Sequence, residues 1–167
     1  MRSIQKADTT HISTIQRLAH FIWNITYKDI LSKDQLNYML ELFYNEKALQ
    51  QQMNDGHQFI IAIDENKITG FASYSKQNTS RYKLHKLYIH PGQQGKGTGK
   101  LLLEHIINDI LNNNATQLEV NVNRYNKALQ FYLKNGFEII KEEDIDIGEG
   151  YFMNDYVLSR KLYKNKS

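Results

Sequence analysis

The only proline of the chain, Pro91, is followed at once by four of its nine glycines, Gly92, Gly95, Gly97 and Gly99. No other stretch restricts the fold as much. Upstream, Tyr82–His90 reads as a strand with Leu84, Leu87 and Ile89 apolar, and Pro91-Gly92 stops it. Downstream, Leu101–Leu111 reads as a strongly apolar helix. A strand that passes through clustered glycines into a helix turns sharply and presents successive backbone N–H groups. The helix N-terminus adds unpaired donors and the positive dipole end, so the loop suits an anion, above all a phosphate. Lys96 and Lys100 add charge at the rim. Two nucleotide patterns fail here. A Walker A loop needs Gly-Lys at its end, and Thr98 stands in the lysine position after Gly97. A dinucleotide fingerprint begun at Gly97 meets Leu102 in its third glycine slot, and a start at Gly92 or Gly95 does no better. A turn that needs glycine for packing alone is the alternative, but four glycines exceed what one turn requires.

The rest of the 167 residues, 41% of them hydrophobic, reads as one domain, 1–167, with enough apolar surface for a core. Without cysteine, disulfides, thiolate zinc sites and cysteine nucleophiles are excluded. No apolar run approaches a membrane span and the N-terminus lacks a signal-peptide core, so a cytoplasmic location is the default expectation. A short strand around Ile4 precedes a helix capped by Asp8 or Thr9, with Ile12, Ile15, Leu18, Ala19 and Ile22 at helical spacing. Ser32 and Gln35 form a capping box before Leu36, Met39, Leu40 and Phe43. Phe59–Ile63 and Ile68–Tyr74 read as a hairpin, and Gln117–Asn123 alternates as a strand. Asn126 caps a helix through Tyr132 that ends at Asn135-Gly136, and Phe137–Ile140 and Tyr151–Leu158 are closing strands. The order predicts an α+β fold with a mixed sheet and the strand–glycine loop–helix unit at its centre. Charge is unevenly spread: 76–134 carries nine Lys/Arg against three acids, 138–155 seven acids against one Lys, and 28–65 seven acids against three Lys. The middle suits an anion and the flanks a cation.

Gln94-Gly95-Lys96-Gly97-Thr98-Gly99 resembles the Q/R-x-x-G-x-G/A signature of the GNAT superfamily of N-acetyltransferases, placed between strand and helix as there. Asn126-Lys127-Ala128, Phe131-Tyr132 and Gly136-Phe137 resemble that family's second hallmark, although Asn126 stands two residues before Ala128 where three is common. Within the superfamily, FIWNITYKDIL, KLHKLYIHP, VNRYNKALQFY and the DIG-x-GY-x-MNDY ending resemble bacterial polyamine (spermidine/spermine) N-acetyltransferases. The resemblance implies a GNAT-type fold, a mixed but mostly antiparallel sheet flanked by helices. It also implies acetyl-CoA as co-substrate, bound in a gap beside the central strand. The N–H groups of Gly95, Lys96, Gly97, Thr98, Gly99 and Lys100 would then hold the pyrophosphate, with Gln94 also among the cofactor-binding residues. Leu87, Tyr88 and Ile89 would meet the pantetheine arm, and Asn126 and Lys134 the far side of the molecule.

The implied reaction has two proton problems. An alkylamine with a pKa near 10.4 is free base in about one molecule in 2,500 at pH 7, a handicap of roughly 4.6 kcal/mol. The departing thiolate must also collect a proton. Tyr132 matches the family's general-acid tyrosine, and His85 falls where many members carry a glutamate base on the central strand. His90 lies five residues after His85, so strict alternation puts the two on opposite faces; no histidine spacing suggests a metal, and none is expected. Asp29, Asp34, Glu41, Asp144, Asp146, Glu149 and Asp155 are candidates to line the amine side, with cation–π contacts from Trp23 and Tyr27. The expected partner is a small cationic amine, with no nucleic acid and no membrane; a homodimer is left open. Protein N-termini, lysines or small drug amines are alternative acceptors, and a non-catalytic acyl-CoA-binding module is the remaining reading.

Overall fold

The computed structural model describes residues 1–164. Strands β1 (Arg2–Lys6), β2 (Gln58–Asp64), β3 (Lys67–Lys76), β4 (Arg81–Ile89), β5 (Gln117–Asn123), β6 (Glu138–Gly148) and β7 (Tyr151–Lys161) form one sheet in the order β1-β2-β3-β4-β5-β7-β6. Only β4 and β5 run parallel; the other neighbours are antiparallel. Helices α1 (Ile12–Thr26), α2 (Lys33–Tyr44) and α3 (Glu46–Asn54) cover one face, while α4 (Thr98–Asn112), which links β4 to β5, and α5 (Ala128–Lys134) cover the other. This is the mixed, mostly antiparallel α+β architecture that the sequence predicts.

Each layer follows from its apolar stripe. Ile12, Ile15, Leu18, Ala19 and Ile22 of α1 are buried together with Leu36, Met39 and Leu40 of α2. On the opposite face Leu102, Leu103, Ile106 and Ile110 of α4 pack on Leu84, Leu118 and Val120. Every fully buried Leu or Ile contributes about 1.5–3 kcal/mol. Three local readings change. Asp8 caps a single 3-10 turn, Thr9–His11, with His11 reciprocating, so α1 begins only at Ile12. Ser32 accepts from the Gln35 amide N–H, but the Gln35 side chain donates to the Phe152 carbonyl (2.7 Å) instead of closing the capping box. That bond ties α2 to β7. Finally, β6 extends to Gly148 and α3 adds a helix the sequence reading did not separate; Leu49 is the one residue α3 buries fully, so its stripe is faint.

Strand β4 carries the feature that matters most. It pairs with β3 through Ser73↔Lys86 and Tyr74↔Leu84, so His85 has no partner and forms a β-bulge. A bulge bends its strand and sharpens the local twist. On the other edge, β4 pairs with β5 only from Arg81↔Gln117 to Leu84↔Val120. The two parallel strands therefore part at the bulge, and the sheet opens into a fork.

Candidate active site

The glycine loop follows β4 at the open end of the fork. After β4, Pro91–Gln93 makes a 3-10 turn whose first N–H, that of Gly92, donates to His90 Nδ1 (3.0 Å). Gly95 and Gly97 both adopt φ +80°, and Gly97 precedes α4 without a side-chain cap. The first-turn N–H groups of α4 thus have no capping side chain. Residues Gln94, Gly95, Lys96, Gly97 and Lys100 are exposed, while Thr98 is buried. A Cβ on Gly99 would stand 3.3 Å from the Phe131 ring, so glycine there lets α5 approach the start of α4. Sequence reasoning missed Arg2, whose guanidinium donates to the Lys96 carbonyl and to Thr98 Oγ1 (3.5 Å); nothing local connects β1 to a loop so distant in the chain. A Cβ on Gly97 would meet only the Arg2 guanidinium at an ordinary 3.8 Å. Gly97→Ala is therefore expected to lose about 1–2 kcal/mol from the left-handed backbone alone, read as a lowered Tm, together with weakened binding of coenzyme A by calorimetry.

Tyrosine hydroxyls gather at the fork. Leu87 and Ile89 join the α4 layer, while Tyr88 joins the α1–α3 layer. Tyr88 Oη and Tyr27 Oη, from the end of α1, are 3.1 Å apart. Asn126 Nδ2 donates to Tyr27 Oη (3.2 Å), and Asn126 Oδ1 accepts from the Ala128 N–H (2.9 Å). The Asn126 side chain thus braces the turn before α5 and ties it to the end of α1, with one amide hydrogen and one lone pair of its oxygen still unused. Tyr132, on the inner face of α5, is 5% exposed and packs edge-on between Phe131 and Phe137. Burial raises its phenol above the ordinary value of 10, and the neighbouring Tyr27 raises it further. It keeps its proton at neutral pH, as a donor must. Lys134 is exposed at the end of α5.

His85 does not suit the role of base. Its ring stacks on His57 (4.1 Å between centroids, 6° between planes), and Nε2 lies 2.7 Å from Ser75 Oγ. Burial, with His57, Lys86 and Lys83 pressing on it, pushes its pKa down to about 3. So weak a base holds almost no proton at neutral pH. The bulge also breaks the alternation on which the opposite-face reading of His85 and His90 rested: His85 meets His57 and Ser75, and His90 stacks on Phe21 of α1 (4.9 Å). The bulge further turns Lys86 into the α1–α3 layer, where Nζ sits 5.0 Å from the Tyr44 ring and 5.9 Å from that of Phe59. Burial lowers that ammonium to about 8.

The acidic flanks meet in space. Tyr38 donates to the Ile147 carbonyl (2.5 Å), and with the Gln35–Phe152 bond this sets α2 against the β6–β7 hairpin. Asp34 and Glu41 thus share a side of the molecule with Asp144, Asp146 and Glu149, all exposed, as is Asp29 after α1. A surface depression of about 400 Å³ where α2 meets the hairpin is lined by Gln35, Asp144, Gly150, Tyr151, Phe152 and Asn154. Asp155 alone among these acids is buried, at 6% exposure. Trp23 is core, packed on Tyr27, Tyr44 and Tyr88, and offers no face to an arriving cation. Among the described residues, no three His, Asp or Glu side chains converge as a metal site and no helix is long and apolar enough to cross a membrane.

A family model described as Acetyltransferase (GNAT) domain matches residues 28–150. The chain is 27% identical over 108 residues to peptidyl-lysine N-acetyltransferase YjaB of Salmonella typhimurium, covering 64% of this chain and 68% of that protein. To YjaB of Escherichia coli it is 32% identical over 94 residues, 54% of this chain and 57% of that one. Among solved structures, the PaiA N-acetyltransferase of Thermoplasma acidophilum in complex with coenzyme A superposes with a TM-score of 0.83 at 23% identity, covering 97% of this chain and 99% of that one. At that identity the likeness speaks for the fold alone.

Proposed function

Because the chain belongs to the GNAT acetyltransferase family, we propose that it transfers an acetyl group from acetyl-CoA to a primary amine by direct attack within a ternary complex. The observation that carries this reading is the fork. Past Leu84 and Val120 the β4 backbone has no partner strand on the β5 side, and the uncapped, glycine-lined start of α4 stands at its open end. The N–H groups from Gly95 to Lys100 would hold the pyrophosphate, and the unpaired backbone of Leu87–Ile89 the pantetheine arm. Tyr132 would protonate the departing sulfur. Held side by side, amine and thioester react without the entropy cost of a bimolecular encounter.

The acceptor this site fits best is a polyamine such as spermidine or spermine. Support comes from the wall formed where α2 meets the β6–β7 hairpin, whose exposed acids would draw a polycation by their summed field. A lysine side chain presents the same alkylammonium, and the likeness to YjaB favours it as the second reading. Thiol release is to be followed with acetyl-CoA and either spermidine or a lysine peptide, alone and in competition. Spermidine should turn over and suppress peptide acetylation. Turnover of the peptide alone would move the assignment to lysine, and release with neither would overturn the reading.

A further inference from the structure

We propose, resting on the amine-acetylation reading above, that Asp155 is the group that takes the proton from the acceptor ammonium. The role is vacant, since His85 is bound to Ser75 and too weakly basic. Asp155 sits on β7 opposite Asn123 of β5 and Glu143 of β6. Asn121, the first β5 residue past the last β4–β5 pair, reaches its Oδ2 with a long 3.4 Å contact. The carboxylate thus lies at the fork, close enough to Tyr27 for its charge to raise that phenol. Tyr27 in turn shares a hydrogen bond with Tyr88 of β4, and its charge raises the Tyr132 phenol.

The carboxylate lacks a cation. Lys83 from β4 and Arg124 after β5 pull on it and Glu143 from β6 pushes, yet among the described residues no ammonium or guanidinium lies within ion-pair distance. Arg124 is committed to Asp144 (2.6 Å) and Glu142 (3.5 Å). A buried, unpaired carboxylate is costly, and a substrate ammonium would complete it. Burial then favours the neutral partners, raising the carboxyl and lowering the amine, so the proton moves from nitrogen to oxygen. An N–H bond breaks and an O–H bond forms on Asp155. The freed lone pair forms the N–C bond to the thioester carbonyl, the C–S bond breaks, and Tyr132 gives its proton to sulfur. The second proton lost from nitrogen restores the phenol through water, and Asp155 releases its proton to solvent as the amide leaves.

Asp155→Asn is expected to lower kcat/KM for spermidine at pH 7 by about a hundredfold or more, with the loss shrinking as pH rises toward the amine's own pKa. Binding of coenzyme A, measured by calorimetry, should be unchanged. Equal activity at pH 7, or a loss by the same factor at every pH, would overturn the assignment. Asn121→Ala gives a second test in case that variant does not fold: removing a donor to the charged carboxylate should move the acid limb of the kcat/KM profile to higher pH, and an unmoved limb counts against Asp155. A wild type that acetylates no amine overturns the amine reading itself, whereas an active wild type matched by Asp155→Asn overturns Asp155 alone.

Discussion

Tyr132→Phe is expected to lower kcat by about a hundredfold or more, the usual worth of a positioned acid, while KM for acetyl-CoA stays close to that of the wild type. The separation follows from what the phenol touches. Its ring fills the space between Phe131 and Phe137, and phenylalanine keeps both edge contacts. The Tm should therefore hold or rise slightly, since a buried hydroxyl is removed and no cavity appears. Burial holds the phenol well above its ordinary pKa, so the alkaline arm of the wild-type rate profile should show no titration of Tyr132 below pH 10. Thiol release under saturating substrates reads the effect directly. An unchanged kcat in Tyr132→Phe would assign the proton donor elsewhere.

Acid should unfold the protein in a window set largely by one ring. His85 has a pKa of about 3 in the folded chain against 6.5 when exposed. Between those values the unfolded chain binds the extra proton, so stability rises with pH through the window. The contribution is complete above pH 6.5 and is lost as pH falls toward 3. After a discount for partial exposure, it is on the order of 3 kcal/mol. His57, also lowered by burial and by Lys86, adds in the same direction. His85→Phe keeps a ring on His57, and Ser75 Oγ retains the Gln77 amide as a donor (3.0 Å). Urea unfolding at intervals from pH 7.5 to 4 should therefore show a clearly shallower slope for the variant, with little change in kcat at pH 7.5. Parallel slopes would remove His85 from the account of acid sensitivity; a collapse of kcat would restore it as the base.

Legibility in the sequence tracks locality. The glycine loop, the period of β5 and the place of Tyr132 on α5 are set within a few residues, and each was readable; Asn126 does bond the Ala128 N–H, but from one residue ahead of the N-cap, Lys127. The bulge was readable too, in retrospect: Leu84 falls on an even position while Leu87 and Ile89 fall on odd ones, a slip in phase that both contact layers reflect. What stayed hidden depends on pairing across the chain. Gln35 satisfies every rule for a capping box, yet its Nε2 donates to a carbonyl on β7, which draws the side chain away from the Ser32 N–H. Asp155 looks like any of the acids around it until β5 and β6 flank it and bury most of its surface. The bond from Asn126 to Tyr27 is likewise invisible in the sequence, since it joins the turn before α5 to the end of α1.

The parting of β4 from β5 places a sheet edge in the middle of the protein. Unpaired strand backbone usually occurs at the outer margin, where it invites other chains to add on and is blunted by charge, proline or a covering loop. Here it lies between two strands of one sheet, with Tyr88 of that stretch bonded to Tyr27. On the proposed reading, the extended arm of the co-substrate lies along β4 and stands in for a missing strand. Binding then completes the hydrogen-bond ladder of the sheet, and occupancy of the site becomes a structural element of the fold.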